Sequence, residues 1–191
     1  MSVKIRHSRY PTAASLLVLV LILAVGCLSI AGMGLQTPSE KPAQAMEMHR
    51  GTPATGPLKL TFGDKSIELT AAELAAFPHT TIKLFNEHAK ADQSYSGVPL
   101  ALLLARLGVS EKPRGKDFRL YLIAEGSDGY QVVYSVGEVT PDVHDGTTLV
   151  ADSMNDKPLG DNGQFQLVTT GEKRPARWVR NLVAIRVLTA Q

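Results

Sequence analysis

The carboxy-terminal segment carries the most informative chemistry of the sequence. Lys173, Arg174, Arg177 and Arg180 place four cations in a short stretch, and Trp178 adds an indole among them. Guanidinium groups bind phosphate and carboxylate groups through paired, charge-assisted hydrogen bonds. The three arginines therefore predict a site that clamps a phosphate, a sulfate or an acidic partner.

Charge is distributed unevenly along the chain. Residues 173–191 contain five Lys and Arg and no acidic residue, whereas residues 46–172 contain eleven basic and seventeen acidic residues. This asymmetry supports a second interpretation of the basic segment, in which the arginines pair with acidic residues of the same domain and Trp178 packs into its core. Both interpretations remain open at the level of the sequence.

Other common catalytic and binding motifs are absent. The sequence has no G-x-x-x-x-G-K-[ST] loop, no G-x-G-x-x-G turn after a strand and no G-x-S-x-G elbow. Cys27 is the only cysteine, which excludes an intrachain disulfide and a thiolate-bound zinc or iron–sulfur site. Asp142, His144 and Asp145 form a conceivable metal-ligand set, but a surface histidine is the simpler interpretation, so we predict no metal site.

The basic segment must be positioned by a folded domain, for which two helices are predicted. Thr70 and Glu73 have the spacing of a capping box, so a short helix should follow Thr70 and end before Pro78. A second helix is expected over residues 98–107, with Gly108 just after its end.

Alternation of apolar and polar residues predicts more strands than helices. The expected strands are 58–62, 67–69, 80–85, 118–124, 130–136, 148–151, 165–169 and 183–188. The first two form a hairpin around Gly63 and Asp64. Because helices and strands do not alternate regularly, we predict an α+β domain at residues 58–190, with mixed β-sheets and short helices.

The amino-terminal region is organised like an export or anchoring segment. Three cations precede the uncharged, apolar residues 13–35. This order predicts an extracytoplasmic domain, periplasmic or at the cell surface, so nucleic acid is not expected as a partner. Residues 1–35 are then a cleaved signal, a retained membrane anchor or, through Cys27, a lipidated terminus. Residues 36–57, rich in Pro, Gly, Ser, Thr and Ala, are expected to form a flexible linker.

Several motifs follow one another in an order that is typical of a known domain family. They are Gly97-Val98-Pro99-Leu100, Asp128-Gly129-Tyr130, Asn155-Asp156-Lys157-Pro158-Leu159, Gly163-Gln164-Phe165-Gln166-Leu167-Val168 and Arg177-Trp178-Val179-Arg180-Asn181-Leu182. Through them, residues 58–188 resemble the oxidoreductase molybdopterin-binding domain of the sulfite oxidase family. The resemblance implies that family's fold, an oxidoreductase activity and a molybdopterin cofactor held through its phosphate.

The resemblance implies that Arg177 and Arg180 contact the cofactor. Together with Arg174, Asp128, Tyr130 and Trp178 they make up the predicted cofactor-binding set. Gln166 stands where an arginine is common in the family, and Asn181 replaces a tryptophan. In catalytic members of the family, molybdenum is bound by a cysteine that lies just after the strand preceding the first motif. Residues 84–88 occupy this place here and contain no cysteine.

Two functions therefore remain open, and no catalytic residue is assigned. The first is a membrane-tethered, molybdopterin-dependent oxidoreductase in which Asn86 or His88 replaces the missing cysteine as a metal ligand. The second is a binding module that keeps the fold without the cofactor and binds a small anionic ligand or a redox partner protein.

Overall fold

In the computed structural model, which describes residues 53–87 and 89–191, ten strands form two sheets and three short α-helices connect them. The strands are β1 (Leu58–Phe62), β2 (Lys65–Leu69), β3 (Thr80–Asn86), β4 (Ala91–Pro99), β5 (Leu120–Gly126), β6 (Gln131–Ser135), β7 (Thr148–Met154), β8 (Lys157–Pro158), β9 (Gln166–Thr169) and β10 (Leu182–Thr189). The helices are α1 (Ala71–Ala75), α2 (Leu100–Arg106) and α3 (Val136–Val139). The predicted α+β class with short helices is confirmed.

The first sheet has the strand order β2-β1-β10-β5-β6 and contains most of the core. It is mixed, because β1 runs parallel to β10 while the other neighbours are antiparallel. Leu60, Ile185 and Ala124 lie side by side on three neighbouring strands and are fully buried. Leu100 and Leu103 of α2 belong to the same apolar cluster, so the helix covers this face of the sheet.

The second sheet is antiparallel, with the order β3-β4-β7-β8 and with β9 paired to β7. The register between β4 and β7 shifts after Ser96, and the backbones approach closely at Gly97. A Cβ atom at Gly97 would lie 2.2 Å from the carbonyl oxygen of Val150. Only glycine fits at this position, which explains one residue of the first motif.

Several local predictions are confirmed. The hairpin of β1 and β2 turns at Gly63, which has a positive φ of 55°. The capping box is complete, because the Glu73 amide donates to Thr70 Oγ1 over 3.3 Å and the Thr70 amide donates to Glu73 Oε2 over 2.8 Å. Gly108, with a φ of 88°, follows α2 as expected.

Three boundary predictions are wrong. Phe118 and Arg119, predicted to begin a strand, lie in a 3-10 turn, and Val136, predicted to end a strand, begins α3. The helix predicted over residues 98–107 begins only at Leu100, because Val98 and Pro99 are the last residues of β4 and pair with Val150 and Leu149 of β7. The strand over residues 91–99, the short β8 and α3 have no counterpart among the predicted elements. The strand β8 has only two residues and α3 is a single turn, whereas β4 lies between β3 and the distant β7.

The predicted amino-terminal segment, including Cys27, lies outside the described residues, as does most of the predicted linker. The end of that linker is bonded to the domain, because the Ala54 amide donates to Asn181 Oδ1 over 2.9 Å and the Gln164 amide donates to the Ala54 carbonyl over 3.0 Å. Within residues 53–87 and 89–191, no helix has the length and apolar character needed to cross a bilayer.

Candidate functional site

Four of the six predicted binding residues line one open cleft of about 610 Å³, a volume within the range of small-molecule sites. They are Asp128, Tyr130, Trp178 and Arg180. The other lining residues are Asn86, Gln93, Tyr95, Met154, Asn162, Gln166, Pro175 and Ala176. The cleft therefore joins the β5–β6 loop, the basic segment and the second sheet.

The basic segment runs beside β9, and this pairing orients its side chains. Val179 and Leu167 exchange two backbone hydrogen bonds of 3.0 and 2.8 Å, and both side chains are buried in the main core. Side chains alternate along extended backbone, so Trp178 and Arg180 lie on the opposite face from Val179, and Gln166 lies opposite Leu167. One strand pairing thus brings all three to the cleft.

An aromatic pair forms one wall of the cleft. The Trp178 ring meets the Tyr95 ring edge-on, with 5.4 Å between their centroids. The indole Nε1–H donates a 3.0 Å hydrogen bond to the Thr169 carbonyl, which fixes the ring orientation. Both rings pack on a small apolar cluster with Ala151 and Val168. Tyr95 is almost fully buried, so the partly exposed Trp178 ring is the apolar surface that this wall offers to a ligand.

A polar row lies beside the aromatic wall. The Tyr95 hydroxyl and the Asn86 amide both donate to Gln93 Oε1, each over 2.7 Å. Burial raises the pKa of Tyr95, while a hydrogen bond to Asn86 and the positive charge of Arg180 oppose that change. The phenol therefore stays neutral at physiological pH, and Arg180 lies near enough to act on it electrostatically.

Three chain segments fix the backbone around Arg180. The Ser127 amide donates to the Asn181 carbonyl over 2.9 Å, and the Asn181 amide donates to the Asn162 carbonyl over 2.6 Å. Asn181 has a positive φ of 48°, and a Cβ atom at Gly163 would lie 2.4 Å from its Oδ1. The Arg180 side chain itself is exposed at the rim of the cleft.

Asp128 and Tyr130 join the β5–β6 loop to the basic segment. The Tyr130 amide donates to Asp128 Oδ1 over 2.9 Å, and the Tyr130 hydroxyl donates to the Ala176 carbonyl. Ala176 lies in a 3-10 turn at Pro175–Arg177. The cleft therefore contains a carboxylate as well as a guanidinium, and it offers acceptors and donors to a ligand.

Gln166 is one of several cleft residues that the sequence did not assign to the site; Gln93, Tyr95 and Met154 are others. Gln166 is 1% exposed, and its Oε1 has no hydrogen-bond donor among the described residues. Buried polar atoms nearly always have a partner. The only signal for it in the sequence is the departure from the family arginine at this position.

Arg177 points away from the cleft and into a network of charges. It bonds Glu138 through Nη1 over 2.8 Å and Glu172 through Nε over 2.8 Å, and its guanidinium lies 4.6 Å from the centre of the Tyr134 ring. The bonds to Glu172 and then to Glu138 raise the pKa of Arg177. Arg177 therefore pairs with acidic residues of its own domain, as the second interpretation of the basic segment expects.

The structure does not bring the three predicted guanidinium groups together. Arg174 lines another cavity with Phe85 and Lys173, Arg177 lines the one that contains Glu138, and Arg180 lines the cleft. A clamp made by all three arginines is therefore not present in this arrangement.

Metal ligation has little support in the described part of the chain. No group of three His, Cys, Asp or Glu there has the geometry to hold a metal ion. In the 142–145 loop, His144 Nδ1 accepts a 2.8 Å hydrogen bond from the Gly146 amide. Asn86 lines the cleft, and His88 lies outside the described residues.

Comparison with known proteins adds one partial similarity. No family model matches the chain. A stretch of 82 residues is 33% identical to the DNA primase small subunit PriS of Thermoplasma volcanium, covering 43% of this chain and 23% of that subunit. The chain thus spans about a quarter of that relative's length, and a match of this extent shows no family.

Proposed function

We propose that the chain is an extracytoplasmic binding protein, with a fold like that of the molybdopterin-binding domain, whose cleft holds a small anionic ligand. The observation that carries the proposal is the convergence of Asp128, Tyr130, Trp178 and Arg180 in one cleft. These residues come from two distant segments of the sequence.

Arg180 is the cation that would bind the anion. Its side chain is exposed at the rim, whereas the neighbouring Arg177 is held by Glu138 and Glu172. A guanidinium gives charge-assisted, paired hydrogen bonds to phosphate or carboxylate oxygens. The Asp128 carboxylate shares the cleft with Arg180, and its Oδ1 accepts from the Tyr130 amide.

A molybdopterin cofactor fits this cleft only in part. The indole of Trp178 and the Arg180 guanidinium suit a planar heterocycle that carries a phosphate. Among the described residues no thiol lines the cleft. The soft ligand that molybdenum takes from catalytic members of the resembling family therefore has no counterpart there. We therefore derive no reaction step through the metal.

A molybdopterin-dependent oxidoreductase is the second candidate, because Asn86 lines the same cleft as Arg180. Asn86 belongs to the segment where the resemblance places the metal ligand, and its amide is held against Gln93. In either case we propose a membrane attachment through the amino-terminal segment and, for the oxidoreductase, a redox partner protein. No nucleic-acid partner is proposed.

Titration with inorganic phosphate, followed by phosphorus NMR line broadening, tests the proposal. The wild-type chain should bind phosphate, and Arg180→Met should weaken binding by roughly tenfold or more, since a hydrogen-bonded ion pair is lost. Arg174→Met is the matched control, because Arg174 is also exposed but lines another cavity. Equal effects of the two substitutions, or no binding to the wild type, would contradict the proposal.

A further inference from the structure

A second cavity lies between the β1–β2 hairpin and α2. Its volume is about 310 Å³, at the lower end of the range for small-molecule sites. It shares no lining residue with the cleft of the proposed function. The residues that line this second cavity are Leu60, Ile67, Leu69, Phe77, Leu103 and Arg106. Apolar side chains and a single guanidinium therefore meet here.

The floor of the second cavity is apolar, and its walls are partly open. Leu60 and Leu103 are fully buried, whereas Ile67 and Phe77 are partly exposed. Ile67 and Leu69 share one face of β2, because side chains alternate along a strand. This strand forms an edge of the first sheet, and α2 leaves part of its face uncovered. An apolar group that enters here loses contact with water and gains contact with buried side chains.

Positive charge lies at the rim of the second cavity. The exposed Arg106 side chain places its guanidinium 5.2 Å from the centre of the Phe77 ring. Lys65 is on the same face of β2 as Ile67, and its Nζ would lie 2.6 Å from a Cβ atom at Gly108, just after α2. In the described part of the chain, neither cation forms an ion pair with an acidic residue. The rim therefore attracts an anion.

We propose that the second cavity binds a small amphiphilic anion, a carboxylate with a short alkyl chain. The alkyl chain lies against Leu60 and Leu103, and the carboxylate pairs with the Arg106 guanidinium through charge-assisted hydrogen bonds. An inorganic anion would leave the apolar floor unused, and an uncharged chain would leave the guanidinium without a partner. This site goes beyond the proposed function and does not rest on it.

Titration of the full chain with octanoate, labelled with carbon-13 at the carboxyl carbon and followed by carbon NMR, is the first test. Butanoate, which has the same carboxylate on a shorter chain, is the matched ligand. Octanoate should bind more tightly, by about fourfold for each further methylene that the cavity buries. Equal affinities of the two ligands, or no binding of octanoate, would overturn the inference.

Replacement of Arg106 tests the charged part of the site. Arg106→Met should weaken octanoate binding by roughly tenfold or more and leave the binding of octanol unchanged. Arg174→Met is the matched control and should bind octanoate like the wild type, because Arg174 is also exposed but lines another cavity. If Arg106→Met left the octanoate affinity unchanged, Arg106 would only cover apolar surface, and the inference would be overturned.

Replacement of Ile67 tests the apolar part of the site. Because Ile67 is partly exposed on an edge strand, the larger ring in Ile67→Trp fits at the mouth of the cavity without entering the core. This variant should weaken the binding of both octanoate and octanol, whereas Arg106→Met weakens only the first. Unchanged octanoate binding in Ile67→Trp would place the ligand elsewhere and overturn the inference.

Sedimentation of the ligand-free chain tests whether a second copy occupies the cavity. An association state that Ile67→Trp does not change supports the inference. A dimer that dissociates in Ile67→Trp would assign the cavity to a second copy and overturn it.

Phosphate titration keeps this inference separate from the proposed function. Arg106→Met should leave phosphate binding unchanged, because Arg106 does not line the cleft. Octanoate binding without phosphate binding would contradict the proposed function and support this inference. Phosphate binding without octanoate binding would support the cleft and overturn this inference.

Discussion

Replacement of Arg177 by methionine tests whether this arginine stabilises the fold rather than the ligand. The substitution removes the ion pairs with Glu138 and Glu172 and the contact with the Tyr134 ring. Because Arg177 and Glu138 are more than a third exposed, solvent screening limits each pair to about 0.5 to 1 kcal/mol. The guanidinium–ring contact adds about 0.5 to 1 kcal/mol. The free energy of unfolding should therefore fall by about 2 kcal/mol.

A loss of this size corresponds to a Tm about 8 °C lower for a domain of this length, which calorimetry resolves easily. The pH dependence gives a second readout. Burial raises the pKa of Glu138, but hydrogen bonds from Ser135 and Arg177 outweigh it, so the net pKa lies below the ordinary value. The Glu138 carboxylate stabilises the fold fully above the pKa that it has in the unfolded chain. This contribution is lost as the pH falls through its lower pKa in the folded protein. The difference between wild type and variant should therefore shrink in acid.

The expected result is a lower Tm with unchanged affinity for phosphate, because Arg177 does not line the cleft. Glu138→Gln, which removes one partner of Arg177, should lower the Tm less, and the double variant should show less than the sum of the two losses. An unchanged Tm together with a large loss of phosphate affinity would show that Arg177 belongs to the binding site and does not stabilise the fold.

Two further predictions concern the second sheet and its edge. The His79 imidazole forms a 2.8 Å hydrogen bond with Asp152 Oδ2, which raises the pKa of His79 above 6.5. This bond therefore stabilises the fold fully below pH 6.5, and its contribution is lost as the pH rises through the raised pKa. The Tm advantage of wild type over His79→Gln should thus be larger near pH 6 than near pH 9, and a pH-independent difference would contradict this. Gly97→Ala should lower the free energy of unfolding by about 3 kcal/mol or more, because the new Cβ would lie 2.2 Å from the Val150 carbonyl oxygen. Gly56→Ala is the control and should leave the Tm unchanged, because Gly56 has open space around it. Equal melting curves for the two variants would contradict this prediction.

Short-range signals made part of the fold predictable. The capping box at Thr70 and Glu73 and the turn at Gly63 depend on residues a few positions apart, and both are confirmed. The start of α2 was not predictable in this way. Val98 alone fits a helix as well as a strand, and its pairing with Val150 across 52 residues decides for the strand.

The candidate site shows the same limit. The spacing of the arginines 174, 177 and 180 suggested one cluster, but Arg177 meets Glu138, which lies 39 residues away, and this pairing cannot be read from spacing. Trp178 and Arg180 reach the cleft because Val179 pairs with Leu167. Burial of Gln166 was likewise invisible, since a glutamine is usually exposed and its neighbours in space come from other strands.

Native mass spectrometry of the protein purified from its native source, combined with elemental analysis, tests whether the cleft holds a small anion. The wild-type chain should carry a small anionic adduct and no stoichiometric molybdenum, and this adduct should be lost in Arg180→Met and retained in Arg174→Met. Stoichiometric molybdenum would contradict the binding-protein account and favour the oxidoreductase. Identical adducts in the wild type and in Arg180→Met would show that the cleft is not the ligand site.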